Sequence, residues 1–256
     1  MRDIVCKILS NKEVGENIFE MVLSADRVDD IQGGQFVNIQ LPNKEMLLRR
    51  PFCLCDFDEE NKTFTICYAV VGEGTKVLSG LAVGEQLKAT LPLGNGFLPS
   101  GKYKKIMLIG GGMGSAVLPA IARRNKDVEC VCYLGFANKG KVVLEEKLGE
   151  VCSKVVVATD DGSYGESGFV TNIAKADLDK LGVDAIFCCG PEVMYRAIKK
   201  TFADVNIPIF VSLEQRMGCG IGACLVCNCK IEREGKQGYY RVCKDGPVFE
   251  LKEVVL

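Results

Sequence analysis

The stretch "LIGGGMGSAVLPAI", Leu108 to Ile121, decides how the rest of the chain is read. Apolar residues run into glycines, and a helix-like run follows. A strand that ends in glycines and opens a helix is the first unit of a doubly wound parallel sheet. Gly110, Gly111, Gly112 and Gly114 allow a dinucleotide pyrophosphate to approach the helix N-terminus, although the pattern is not a strict G-x-G-x-x-G.

The rhythm continues downstream. "VECVCYLGF", "KVVVATDDG", "AIFCCGP" and "IPIFVSL" read as buried strands. "KVVLEEKLGEVC", "FVTNIAKADLDKLG" and "PEVMYRAIKKTFADV" read as helices between them. Together they predict an α/β domain over residues 101–211. Cys189, Gly190 and Pro191 fall at the carboxyl end of a later strand, the edge where such sheets bind ligands. Asp160 and Asp161 end the third strand, either as nucleotide contacts or as a solvated turn with a helix cap.

Upstream, residues 1–100 read as all-β. "DIVCKILS", "NIFEMVLS", "GGQFVNIQL", "FCLCDFD" and "TFTICYAVV" are short runs separated by turn residues, which suggests a small antiparallel barrel or sandwich. Residues 212–256 are Gly- and Cys-rich and too few to hold a core without a staple.

That last segment answers with cysteines. Cys219, Cys224, Cys227 and Cys243 form C-x4-C-x2-C with a distant fourth thiol, the plant-type spacing for a [2Fe-2S] cluster. Gly218, Gly220 and Gly222 permit the tight turns that bring backbone N–H groups to the sulfurs. A structural zinc site is the alternative, but it favours two C-x2-C pairs. Cys229 is a fifth thiol in the segment, read as a small buried side chain.

Composition sets the limits. The chain of 256 residues carries 14 cysteines and no histidine, with a formal net charge of −1. The lack of histidine excludes a Ser-His-Asp triad, a Cys-His protease, His-ligated zinc or haem, and a Rieske cluster. No basic block suggests nucleic-acid binding. No signal peptide and no membrane-length apolar run stand out, so a cytoplasmic location is expected, where cysteines serve as metal ligands or redox groups.

"RRPFCLCD", Arg49 to Asp56, resembles the R-P-x-S motif of the ferredoxin-reductase superfamily. That resemblance implies FAD on the barrel, with Arg50 at the pyrophosphate and the backbone of Pro51, Phe52 and Cys53 along the ring. Cys53 stands where the family has Ser or Thr. By the same resemblance Cys67, Tyr68 and Ala69 line the flavin, with Ala69 where the family often has a basic residue. "GEGTKVLSGL", with Gly72, Gly74 and Thr75, supplies a phosphate-binding turn, and "LPLGNGF" resembles a further family turn. Cys189 would lie near the nicotinamide.

"SLEQRMGCGIGACLVC", "RVCKDGPVF" and "DDGSYGESGFVT" resemble the electron-transfer subunits of type B dihydroorotate dehydrogenase over nearly the full chain. The resemblance implies an enzyme subunit of pyrimidine biosynthesis with FAD, a [2Fe-2S] cluster and NAD(H). A partner carrying FMN would oxidise dihydroorotate, in a heterotetramer of two of each subunit. Electrons would then pass singly through the cluster to FAD, which reduces NAD+ by hydride transfer. No catalytic acid or base is required of this chain. "GFANKGK" offers no Arg for a 2′-phosphate, which favours NAD over NADP, with Lys139 and Lys141 nearby. Alternatives are a subunit of another NAD(P)H-linked reductase, such as NADPH-ferredoxin or sulfide reductase, a self-contained NADH reductase, and a non-enzymatic iron-sulfur sensor.

Overall fold

Alternating apolar and polar residues turn the N-terminal part into strands. The computed structural model describes residues 1–42, 46–97 and 101–256. Its first elements are β1 (Arg2–Gly15), β2 (Ile18–Ser24), β3 (Phe36–Gln40), β4 (Arg50–Cys53), β5 (Asp56–Asp58), β6 (Thr63–Ala69), helix α1 (Glu73–Ser79) and β7 (Gln86–Leu93). The seven strands form one antiparallel sheet in the order β4-β3-β7-β1-β2-β6-β5. Its two end strands are consecutive in the chain. Between them the Leu54 N–H donates to the Gln35 carbonyl and the Cys55 N–H to the Thr65 carbonyl, which draws the two edges together as a barrel requires. The sequence reading does not single out β7. Lys88 and Pro92 interrupt its apolar signal, although Leu87, Ala89 and Leu91 point inward in alternation.

The second sheet is built from β8 (Lys105–Gly111), β9 (Glu129–Phe136), β10 (Lys154–Thr159), β11 (Glu166–Ser167), β12 (Ala185–Cys189), β13 (Ile209–Ser212) and, from the C-terminal segment, β16 (Val248–Glu250). The order is β11-β10-β9-β8-β12-β13-β16, parallel except for the β13–β16 pair. The strand order reverses between β8 and β12, which opens a crevice at their carboxyl ends. The helix after β8 starts as a tight 3-10 turn, Gly112–Val117, before α2 (Leu118–Arg124). The long helix expected at 141–152 shrinks to α3 (Glu145–Gly149), because Leu144 takes a left-handed conformation with φ 68°. Helices α4 (Val170–Leu181) and α5 (Glu192–Thr201) lie where the patterns place them.

The remaining chain forms the hairpin β14 (Asn228–Arg233) and β15 (Lys236–Arg241), then α6 (Val242–Asp245) and β16. The boundary expected between residues 211 and 212 falls inside β13, and that at residue 100 lies outside the described residues. The two sheets are joined by packing and charge. Arg123 of α2 donates to the buried Asp56 at 2.6 Å, and Lys147 pairs with Glu20 at 2.7 Å. Among the described residues no helix is long and apolar enough to cross a membrane.

Candidate functional site

The crevice between β8 and β12 is a cavity of about 720 Å³. Gly111, Gly112 and Gly114 form one wall, Gly190 and Pro191 another, and Asp160, Phe169 and Glu214 complete it. Gly110 and Cys189 stand behind this lining. The 3-10 turn after β8 presses against the end of β12. A β carbon on Gly114 would lie 2.4 Å from the Cys189 carbonyl oxygen. Only glycine allows this approach, which places the two loops side by side.

Asp160 and Asp161 separate into two roles. Asp161 accepts hydrogen bonds from the Ser163 N–H and hydroxyl, at 3.0 and 2.6 Å, and so stabilises its own turn. Asp160 faces the cavity, and its carboxylate has no hydrogen-bond partner among the described residues. Lys141 is engaged by Glu16, and Lys139 lies over the ring of Tyr164.

Two residues that the sequence reading assigns no role shape this cavity. Glu214 contributes a carboxyl that burial pushes above the usual range. Tyr195 is buried; its hydroxyl accepts from the Gly190 N–H at 3.1 Å and donates to the Ser212 carbonyl at 2.5 Å. It thereby ties the loop after β12 to the segment that carries Glu214. Neither residue belongs to a short motif. The strand order brings them to the cavity. Cys189 is buried, and burial, with Cys53 and Glu214 nearby, pushes its thiol up. Cys188 packs on the opposite face of β12. The thiol of Cys53 is pushed up to about 12, by burial and then by Glu214. Cys53 and Cys189 are therefore neutral thiols at ordinary pH.

On the barrel, Arg49 is bound to Asp3 at 2.7 Å. Arg50 is turned the other way, so that a β carbon on Gly74 would lie 3.0 Å from its Nε. A guanidinium beside the first turn of α1 makes a cradle for an anion. The Thr75 hydroxyl accepts from the Val71 and Gly72 N–H groups, which shapes this turn. Strand alternation divides the other candidates. Cys53, Cys67 and Ala69 face the second domain, whereas Phe52 and Tyr68 pack into the barrel core. Tyr68 stacks on Phe19 and donates to Asn11. A smaller cavity of about 290 Å³ joins Ala69 to Gly112 and Met113, which also line the larger one.

The cysteine loop follows Glu214 directly. Its four thiols do not form one compact knot around a single point among the described residues. They stand in two pairs. Cys219 and Cys224 are in contact on the outer side, and Cys227 and Cys243 in contact beneath. Backbone N–H groups of Ile221 and Cys224 point at the Cys219 sulfur, each at 3.4 Å, and the Cys243 N–H points at the Cys227 sulfur at 3.4 Å. Burial raises the Cys219 thiol, but these donors outweigh it and bring it down to about 6. Cys243 is pushed up to about 12 by burial and by Cys227. Two thiol pairs surrounded by N–H donors fit a two-iron cluster, which needs thiolate ligands and donors to its sulfurs. Cys229 lies in β14, and its thiol donates to the Tyr240 carbonyl at 3.4 Å.

Comparison with known proteins agrees with this geometry. Residues 214–255 match the family described as the iron-sulfur cluster binding domain of dihydroorotate dehydrogenase B. The electron transfer subunit of dihydroorotate dehydrogenase B (NAD(+)) from Streptococcus mutans is 41% identical, across 97% of this chain and 96% of its own. The corresponding subunit from Bacillus pumilus is 40% identical, across 100% and 99%. A chain of the NADH-dependent reduced ferredoxin-NADP oxidoreductase has the same fold, with a TM-score of 0.86 and 28% identity over 98% of this chain and 89% of that one. Phthalate dioxygenase reductase shares the fold alone, at a TM-score of 0.65 and 16% identity over 94% of both chains. With an iron-sulfur binding segment set on an FAD/NAD-binding reductase fold, the chain belongs to the family of electron transfer subunits of NAD-dependent dihydroorotate dehydrogenase B.

Proposed function

We propose that the chain carries electrons between a catalytic subunit that oxidises dihydroorotate and NAD+, through a [2Fe-2S] cluster and FAD. Cys219, Cys224, Cys227 and Cys243 hold the cluster, one pair to each iron. FAD lies along β4, with its phosphates at Arg50 and the Gly74–Thr75 turn. NAD(H) occupies the 720 Å³ cavity. The flavin supplies exchange between two-electron and one-electron chemistry. The protein supplies position. Gly114 holds the phosphate turn against the loop after β12, Tyr195 fixes that loop, and the buried Cys189 packs behind it.

The observation that carries the reading is the path from Glu214 to Cys219. A few residues run from the wall of the cavity to the first cysteine of the loop, while Cys53 of β4 lies near Glu214 and Asn38 of the neighbouring β3 touches Cys219. The three units 1–100, 101–211 and 212–256 then correspond to FAD, NAD and cluster, the last anchored in the sheet of the second.

The partner is an FMN-bearing subunit, and two of each chain assemble in the cytosol. Ile221, Leu225 and Val226 are exposed at 46%, 58% and 56% around the outer thiol pair, an apolar rim suited to docking. Alone, the chain is expected to pass electrons from NADH to artificial dyes but to form no NADH from dihydroorotate. Mixed with the partner, it is expected to couple the two reactions. Coupled turnover by either subunit alone would overturn the assignment, as would its failure in a fully loaded pair.

Nucleotide choice follows from Asp160. A carboxylate at the ribose accepts a 2′-hydroxyl and repels a 2′-phosphate. The flavin should therefore be reduced faster by NADH than by NADPH. Asp160→Asn should lower the ratio of the two kcat/KM values by about tenfold. Equal reduction by NADPH in the parent protein would show that Asp160 does not read the ribose.

A further inference from the structure

Between the cysteine loop and the strand of Arg50 lies a buried amide whose oxygen has no hydrogen-bond partner among the described residues. Asn38 sits in β3 and is 2% exposed. It lies opposite Pro51 of β4 and Thr90 of β7, and the β3–β7 ladder shifts register between Phe36 and Asn38. Register shifts of this kind re-aim side chains next to functional sites.

The Asn38 Nδ2 donates to the carbonyl of Cys219 at 3.4 Å. Gly220 follows with φ +72°, and a β carbon there would lie 2.6 Å from Asn38 Nδ2. The cysteine loop is thus folded down onto this amide, and glycine permits the approach. The Asn38 Oδ1 is buried and has no partner among the described residues. An unpaired amide oxygen destabilises a core, and an aliphatic side chain would fill the position without that cost. Packing alone does not call for asparagine here.

We propose that Asn38 is a positioning residue for electron transfer. It fixes the cysteine loop against the flavin strand, and its N–H, placed on the carbonyl of a ligand residue, raises the reduction potential of the cluster. The reading rests on the FAD and cluster placements proposed above. The physical reason is that a donor dipole near the ligands stabilises the reduced, more negative cluster. Electrons balance simply. NADH becomes NAD+ with release of one proton, and its two electrons reduce one-electron acceptors one at a time.

The test uses the full chain with both cofactors, as parent, Asn38→Leu and Asn38→Ser. FAD and iron content, the electron paramagnetic resonance of the reduced cluster, and its potential by redox titration are measured. Rapid anaerobic mixing with NADH then follows the flavin and cluster bands separately. Flavin bleaching should stay within about twofold of the parent, while cluster bleaching slows by about tenfold. The cluster signal should also change and its potential fall. Iron lost while FAD is retained also supports the inference, because the loop has then lost its support. An unchanged signal, potential and cluster rate in both variants would overturn it. Joint loss of FAD and iron would also overturn it, by assigning Asn38 to folding alone. A parent protein without FAD would overturn the reading of β4 itself, and this inference with it.

Discussion

Replacing Cys227 by Ser is expected to abolish the iron-sulfur chromophore, whereas Cys229→Ser leaves it intact. The two thiols are two residues apart and both buried, so sequence proximity does not separate them. Their surroundings do. Cys227 contacts Cys243 and receives its N–H, the arrangement of a ligand pair. The Cys229 thiol instead donates a hydrogen bond to the Tyr240 carbonyl at 3.4 Å within the β14–β15 hairpin. Iron content and the visible spectrum are the measurements. Coupled turnover with the partner should fall more than about 100-fold in Cys227→Ser, beyond the usual range for residues that only support a ligand. Reduction of two-electron dyes through the flavin should persist. Loss of the cluster from Cys229→Ser, with retention in Cys227→Ser, would reverse the ligand assignment.

Gly114→Ala should damage the cavity between β8 and β12 with a single added methyl. The new β carbon would meet the carbonyl oxygen and carbon of Cys189 at 2.4 and 2.5 Å and the Gly190 α carbon at 2.6 Å. These are backbone atoms, so no side chain can rotate away. Either the turn after β8 or the loop after β12 must move. Overpacking of this kind costs about 1–3 kcal/mol. The displaced loops are the walls of the cavity proposed above for NAD(H), so the apparent KM for NADH should rise by about tenfold or more. The FAD and cluster spectra should survive, since neither site includes Gly114. A variant with unaltered melting temperature and NADH kinetics would show that the loops do not need this contact.

How much of this was legible in the sequence depends on range. The glycines after Ile109, the strand and helix rhythm around them and the cysteine spacing are local signals, and each appears where its pattern places it. Short interruptions mislead. Leu144 in a left-handed turn ends a helical pattern that composition alone would continue. The first turn after Gly111 winds more tightly than the pattern of "SAVLPAIARR" suggests. The pairwise roles are the least legible. Nothing near Glu214 in sequence indicates a cavity wall, and nothing near Asn38 indicates the carbonyl of Cys219, 181 positions away. Arg49 and Arg50 are adjacent letters, and only the structure shows that Arg49 is held by Asp3 while Arg50 reaches toward Gly74.

The chain leaves β13 at Ser212, forms the whole cysteine-bearing excursion, and returns at Val248 opposite that same Ser212. Its entry and exit are therefore neighbours in one sheet. A segment with this geometry is a cassette: it can lengthen, shorten or be exchanged without changing strand order or the handedness of any crossover. The iron-sulfur segment is thereby attached at a single edge, and the order of the seven strands does not depend on its length.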